Sequence, residues 1–129
     1  MKKIIPFILL FGFFSCVLSA QPVKMKNDPV GKWSFNAPYA PYGYSTGTVD
    51  IGYEEKAYTI KMSFTEMGYS YTGENVKVRN DSLFFELSIE GTPISNSLTM
   101  KDDTTMEGAA VYFEGTVPYT MKKEINKEE

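Results

Sequence analysis

Asn80-Asp81-Ser82-Leu83-Phe84-Phe85-Glu86-Leu87-Ser88-Ile89-Glu90-Gly91-Thr92-Pro93-Ile94-Ser95-Asn96-Ser97-Leu98-Thr99-Met100-Lys101-Asp102-Asp103 is the stretch that decides the fold. Asn80-Asp81, Glu90-Gly91 and Asp102-Asp103 read as tight polar turns. Between the first two, Leu83, Phe85, Leu87 and Ile89 share the most apolar face of the chain, while Phe84 points the other way. Between the last two, Ile94, Leu98 and Met100 share a face that Asn96 interrupts. Side chains of a strand alternate with period two, so each run predicts a strand with one buried face. Short links of this kind make hairpins, and hairpins make antiparallel neighbours.

The same pattern extends in both directions. Upstream, Trp33, Phe35 and Ala37 alternate with Lys32, Ser34 and Asn36. Val49, Ile51 and Tyr53 share a face, Glu54-Glu55-Lys56 turns the chain, and Tyr58, Ile60, Met62 and Phe64 alternate against Thr59, Lys61 and Ser63. Met67-Gly68 is a break, Tyr69 and Tyr71 mark a weak strand, and Val76 and Val78 alternate with Lys77 and Arg79. Downstream, a run from Met106 to Phe113 passes through Gly108, Ala109 and Ala110. Glu114-Gly115 then leads to a last strand with Val117, Tyr119 and Met121 on one face. One segment breaks the rhythm: Ala37-Pro38-Tyr39-Ala40-Pro41-Tyr42-Gly43-Tyr44, a tandem of Ala-Pro-Tyr. Its prolines fix the backbone and forbid a central strand, which predicts a stiff aromatic loop.

No segment shows a helical period. Eight or nine short strands with tight links predict an all-β protein, an antiparallel up-and-down meander closing into a small barrel, with a β-sandwich as the alternative. Closure removes exposed edges, which this chain has few strand-interior prolines to protect. The apolar faces are shorter than the roughly 9–11 residues of a membrane-spanning strand, so an outer-membrane barrel is not expected.

Residues 1–20 read as an export signal: Lys2 and Lys3, a short apolar run from Ile4 to Phe14, and Leu18-Ser19-Ala20 as a small-residue cleavage site. Cys16 offers a second reading, a lipid-anchored lipoprotein, although Phe13 stands where such signals carry leucine. The remaining chain divides into a loose lead-in over 21–29, a barrel domain over 30–123 and a charged tail over 124–129. After removal of the signal no transmembrane segment is left, and a monomeric protein that is periplasmic, secreted or membrane-anchored is expected.

Several chemistries lose their usual residues. The chain has no histidine and its one cysteine lies in the leader, so zinc, copper and haem sites lack their common ligands. Ser-His-Asp and Cys-His nucleophile systems are excluded for the same reason. No disulfide staples the domain. Glycines stand singly at turns, with no phosphate-cradling loop. The 13 basic and 16 acidic residues give a net charge of −3, which becomes −5 without Lys2 and Lys3. Basic residues are scattered, so a nucleic-acid partner is not expected. Glu54-Glu55 and Asp102-Asp103 sit in turns where adjacent carboxylates diverge, which argues against a paired-acid hydrolase and against a dedicated calcium site.

Aromatic residues form the suggestive constellation. Tyr39, Tyr42 and Tyr44 cluster on the stiff loop, and Tyr69 and Tyr71 on the weak strand. A tyrosine ring offers an apolar face and a polar tip, which suits recognition of a ligand or partner and equally suits capping the end of a core. Met62, Met100, Met106 and Met121 face inward with Phe64, Phe85 and Tyr119, either as an adaptable lining or as core filling. Asn96 also faces inward, where a buried amide needs partners; it is a candidate polar handle for a ligand, a bulge residue or a backbone partner.

The stretch from Gly31 to Lys123 resembles small exported lipocalin-like or avidin-like β-barrel domains of bacteria. Gly31-Lys32-Trp33 on the first strand, the repeated hairpins and the closing strand from Gly115 to Lys122 carry the resemblance. It implies a cavity opening at one end, Gly31 and Trp33 at the closed floor, no cofactor and no catalytic residues. In lipocalins an arginine late in the barrel packs over the tryptophan. Here Arg79 is in mid-chain and Lys122 or Lys123 would take that place. Two functions are expected from these readings. One is a non-catalytic module holding a small apolar or amphipathic ligand, with Tyr39, Tyr42, Tyr44, Tyr69, Tyr71 and Asn96 as candidate contacts. The other is a solid-core interaction protein that meets a protein or glycan through loop 38–44.

Overall fold

Alternating apolar residues become nine antiparallel strands within residues 25–125, the part of the chain that the computed structural model describes. The leader read over 1–20 and the cleavage site lie outside these residues. The strands are β1 (Gly31–Asn36), β2 (Thr46–Glu54), β3 (Ala57–Phe64), β4 (Ser70–Thr72), β5 (Glu74–Arg79), β6 (Ser82–Ile89), β7 (Thr92–Asp102), β8 (Thr105–Tyr112) and β9 (Gly115–Lys123). Each pairs with its neighbour in sequence except at the β4–β5 junction, and β1 pairs with β9, with Trp33 opposite Lys123 and Asn36 opposite Thr120. That last ladder curls one sheet into a nearly closed barrel and sets the sandwich aside.

The seam lies between β4 and β5, the two ends of the sheet order, which follow each other in sequence. β4 pairs with β3, β5 pairs with β6, and only Gly73 separates them. Gly73 N–H still donates to Ile60 O (2.8 Å), so the chain leaves β3 only after this residue. A Cβ here would stand 2.7 Å from Ile60 Cβ, so any larger residue would have to push its neighbours aside, and glycine suits the bend. Two residues on, Asn75 takes a left-handed conformation (φ 51°) at the register shift between Glu74 and Lys77. A bulge bends a strand and re-aims it, and asparagine accepts this backbone more readily than most residues.

Two-residue turns join the hairpins at Asn80-Asp81 and Glu90-Gly91 as the sequence predicted. The turns read at Asp102-Asp103 and Glu114-Gly115 fall one residue away, at Asp103-Thr104 and Phe113-Glu114, because the ladders pair Asp102 with Thr105 and Tyr112 with Gly115. Glu55 and Lys56 (φ 52° and 67°) link Glu54 to Ala57, and Glu90 and Gly91 (φ 52° and 84°) link Ile89 to Thr92. Positive φ at both central residues gives the twist that matches flanking strands. The inward faces also match: Trp33, Val49, Ile60, Met62, Leu83, Phe85, Leu98, Met106 and Met121 are all buried, while Phe84 points outward.

The closed end is built around Trp33, which is fully buried and donates its indole N–H to Pro29 O (2.8 Å). Lys123, rather than Lys122, covers the ring. Its Nζ stands 5.7 Å from the ring centroid and donates to Asp28 O (3.2 Å). Gly31 leaves room for that stem, since a Cβ there would meet Lys123 Cε at 2.8 Å. Segment 25–29, aperiodic and read as part of a loose lead-in, packs across this floor. Met25 is buried and its N–H donates to Tyr58 Oη (3.0 Å), while Asn27 bonds to both carboxylate oxygens of Asp81 (3.1 and 3.2 Å). Periodicity cannot announce a segment held by its partners rather than by a ladder.

Candidate functional site

The strand directions place loops 37–45 and 65–69 and the turns 90–91 and 113–114 at the end opposite Trp33. At that end the β1–β9 ladder stops at Asn36–Thr120, whereas the β8–β9 ladder continues to Tyr112–Gly115. Residues 115–119 therefore have a strand neighbour on one side only, and Pro118 falls within this stretch, where a missing N–H costs least. Loop 37–45 completes the wall. It is closed by Ala37 N–H to Ser45 O (2.7 Å) and Tyr44 N–H to Pro41 O (3.0 Å), and Ala37, Ala40, Pro41 and Tyr44 line the cavity, Pro41 at its exposed edge.

The result is a cavity of about 250 Å³ in the upper half of the barrel, open at the mouth. Its wall is mostly apolar and aromatic. Phe64 stands edge-on to Tyr44 (5.0 Å between centroids) and to Phe35 (5.6 Å), and Phe35 edge-on to Tyr119 (5.8 Å). Leu87, Ile94, Ala110 and Val117 complete the apolar surface, and Phe113 stands at the rim, 80% exposed. Below the cavity the barrel is solid: Leu83, Leu98, Met106 and Met121 are fully buried and none of them lines it. Of the four inward methionines only Met62 reaches the cavity.

One polar pair is set into this wall. Tyr119 Oη donates to Asn96 Oδ1 (2.8 Å), and Asn96 Nδ2 reaches Ile94 O at a long 3.4 Å. Asn96 is only 3% exposed, and the second N–H of its amide has no protein partner. Burial holds the Tyr119 hydroxyl well above the ordinary tyrosine value, so it is a neutral donor. Glu90 and Glu114 line the rim. Burial, and after it the charge of Glu90, also raises the Tyr44 hydroxyl.

The candidate residues divide accordingly. Tyr44 and Asn96 line the cavity. Tyr39 and Tyr42 stand on its loop but project outward, 79% and 89% exposed, while Ala40 and Tyr44 of the same loop are half-buried against the cavity and Pro41 borders its mouth. Tyr69 is exposed as well, and Tyr71 packs edge-on against Phe64 (5.9 Å) without lining the cavity. Gly31 and Trp33 lie at the opposite, solid end. Tyr112, Phe113, Val117 and Tyr119 contribute to the cavity without having been singled out as contacts. Phe113 was read as the end of a strand, and only the pairing of Tyr112 with Gly115 puts it in the turn at the rim.

Among the described residues no three His, Cys, Asp or Glu side chains gather as a metal site. Asp102 is committed to its own turn, accepting from Thr104 N–H (3.0 Å), which with the other turn hydrogen bonds holds its carboxyl below the usual range. No family model matches the chain, and no curated protein matches it. Among solved structures, a redesigned β-barrel shares the fold with a TM-score of 0.57, at 13% identity over 74% of this chain and 91% of that one. At that identity the likeness concerns the fold alone.

Proposed function

We propose that this protein is an exported, non-catalytic and monomeric binding module of lipocalin-like or avidin-like kind, holding a small apolar or amphipathic ligand in the upper half of its barrel. The observation that carries this reading is the aromatic cavity of about 250 Å³, open at one end and set above a solid floor. Pockets for small molecules are concave, mostly apolar and equipped with a few fixed polar groups, and the Asn96–Tyr119 pair supplies such groups. The absence of histidine from the sequence favours binding over turnover.

Ala110 lines the cavity from β8, so Ala110→Phe fills it. Titration with 2-phenylethanol, followed through the ring resonances of Tyr44 and Tyr119, is expected to saturate in the natural protein and to give no shifts in Ala110→Phe. Trp33 emission stays constant throughout, because the indole sits in the floor. Equal binding by the filled variant would refute the reading.

A second reading rests on the outward Tyr39 and Tyr42, carried on a loop stiffened by Pro38 and Pro41. Exposed tyrosines on a rigid loop are suited to a protein or glycan surface. Replacing both by serine leaves thermal stability unchanged under this reading and abolishes binding on a glycan array or to a purified partner. Tyr44 is excluded from that test because it is part of the cavity wall.

A further inference from the structure

The open end of the barrel carries acids and no base, whereas the floor carries both signs. Three of the four connections at the open end carry an acid and no base: Glu66 in loop 65–69, Glu90 in turn 90–91 and Glu114 in turn 113–114. The fourth, loop 37–45, carries no charge. Lys26, Lys56, Arg79, Lys101, Lys122 and Lys123 lie toward the floor, interspersed with Asp28, Glu54, Glu55, Asp81, Asp102, Asp103 and Glu124, so only the open end has a single sign. The cavity therefore opens through a rim whose charged lining residues are Glu90 and Glu114, both solvent-exposed.

A ligand entering this mouth meets two carboxylates and the rings of Tyr44, Tyr112 and Phe113, then an apolar chamber. Among the described residues no cation stands at the rim to hold a carboxylate or phosphate. A carboxylate-bearing amphiphile would place like charges together, whereas an ammonium gains from both acids and from the aromatic faces. Size limits the apolar body. A dry cavity of about 150 Å³ accommodates benzene, so this one takes roughly ten non-hydrogen atoms.

We infer that the ligand class of this barrel is a small organic cation, an alkyl- or arylalkyl-ammonium whose apolar body fills the cavity while its charged head sits between Glu90 and Glu114. This assignment rests on the binding reading above and narrows it. The deep amide of Asn96 is left to read a polar atom at the inner end of the ligand, such as a ring hydroxyl. Neither acid is part of the core, so removing their charge tests the assignment without disturbing the fold.

The experiment is calorimetric titration with a matched set: 2-phenylethylamine, 2-phenylethanol and phenylacetate. The ammonium is expected to bind at least fivefold more tightly than the alcohol, with phenylacetate weakest. Raising sodium chloride from 20 to 300 mM weakens the amine alone, because exposed charges are screened. In the double variant Glu90→Gln with Glu114→Gln, the amine falls to within twofold of the alcohol, whose affinity is unchanged. If the alcohol or the carboxylate binds the natural protein as tightly as the amine, or if the double variant retains the preference, the cation assignment fails and the binding reading survives. If none of the three binds, the binding reading fails and takes the assignment with it.

Discussion

At the scale of single residues, two buried side chains concentrate the consequences. Trp33 fills the floor and is tied to Pro29 by its indole N–H and to Lys123 through its ring face. Trp33→Ala is expected to cost about 3–5 kcal/mol, the range for large aromatic truncations. Small domains hold only about 5–15 kcal/mol in all, so the urea midpoint should fall sharply; an unchanged midpoint would remove Trp33 from the core. Tyr119 acts through its hydroxyl. Tyr119→Phe strands Asn96 Oδ1 without its donor, at a cost of about 1–3 kcal/mol. The pH dependence has a definite sign. Burial raises the folded value of Tyr119 above that of the unfolded chain. Above a pH of about 10 the unfolded state has released this proton and the folded state retains it, so stability falls as pH rises. Below that range both states hold the proton and the group contributes no slope. Urea midpoints between pH 9 and 11 should therefore drop more steeply in the natural protein than in Tyr119→Phe, by roughly 1 kcal/mol.

At the scale of elements, the β4–β5 junction and the tight turns set the geometry. Gly73→Ala forces a Cβ against Ile60 and Phe85 at the point where the chain changes partners. Overpacking of this kind costs about 1–3 kcal/mol, and the loss should appear as a lowered denaturation midpoint with faster amide exchange in β4 and β5. The opposite sign is expected at Lys56, which holds φ 67° in the Glu55-Lys56 turn. Left-handed backbone costs an L-residue about 1–2 kcal/mol, and glycine avoids this while losing about 0.5–1 kcal/mol of chain entropy. Lys56→Gly should thus gain roughly 0.5–1 kcal/mol, read as a higher urea midpoint. The strands themselves were legible because alternation is a local signal: Leu83 to Ile89 and Tyr58 to Phe64 declare their buried faces without reference to the rest of the chain. The two weak strands read at Tyr69 and Tyr71 and at Val76 and Val78 are β4 and β5. The seam between them was not legible, because which neighbour each pairs with is set by the rest of the sheet rather than by local alternation.

At the scale of the whole molecule, the barrel is divided into a packed lower half and an open upper half, and the division explains which site residues could be read. Asn96 was visible because a polar residue on an apolar face stands out by itself. Tyr39 and Tyr42 were drawn from clustering, yet which side of a loop faces inward depends on where β1 ends relative to β9, a property of register rather than of composition. The same division predicts a gradient of mutational cost along the axis. Leu98→Ala and Met106→Ala remove atoms from the solid half, where neighbours enclose the side chain completely, and should cost about 2–5 kcal/mol each. Ile94→Ala and Val117→Ala act at half-buried residues that already border open space. Fewer contacts are lost there and no new void is enclosed, so each should cost roughly 1 kcal/mol or less. Chemical denaturation of the four variants measures the gradient directly. Equal costs at both ends would mean that the upper half is packed in solution and that no chamber exists for a ligand. A steep gradient combined with recovery of the Val117→Ala midpoint on adding 2-phenylethylamine would place the stabilising contacts of that ligand in the upper half, since a molecule that binds only the folded state raises its stability by mass action.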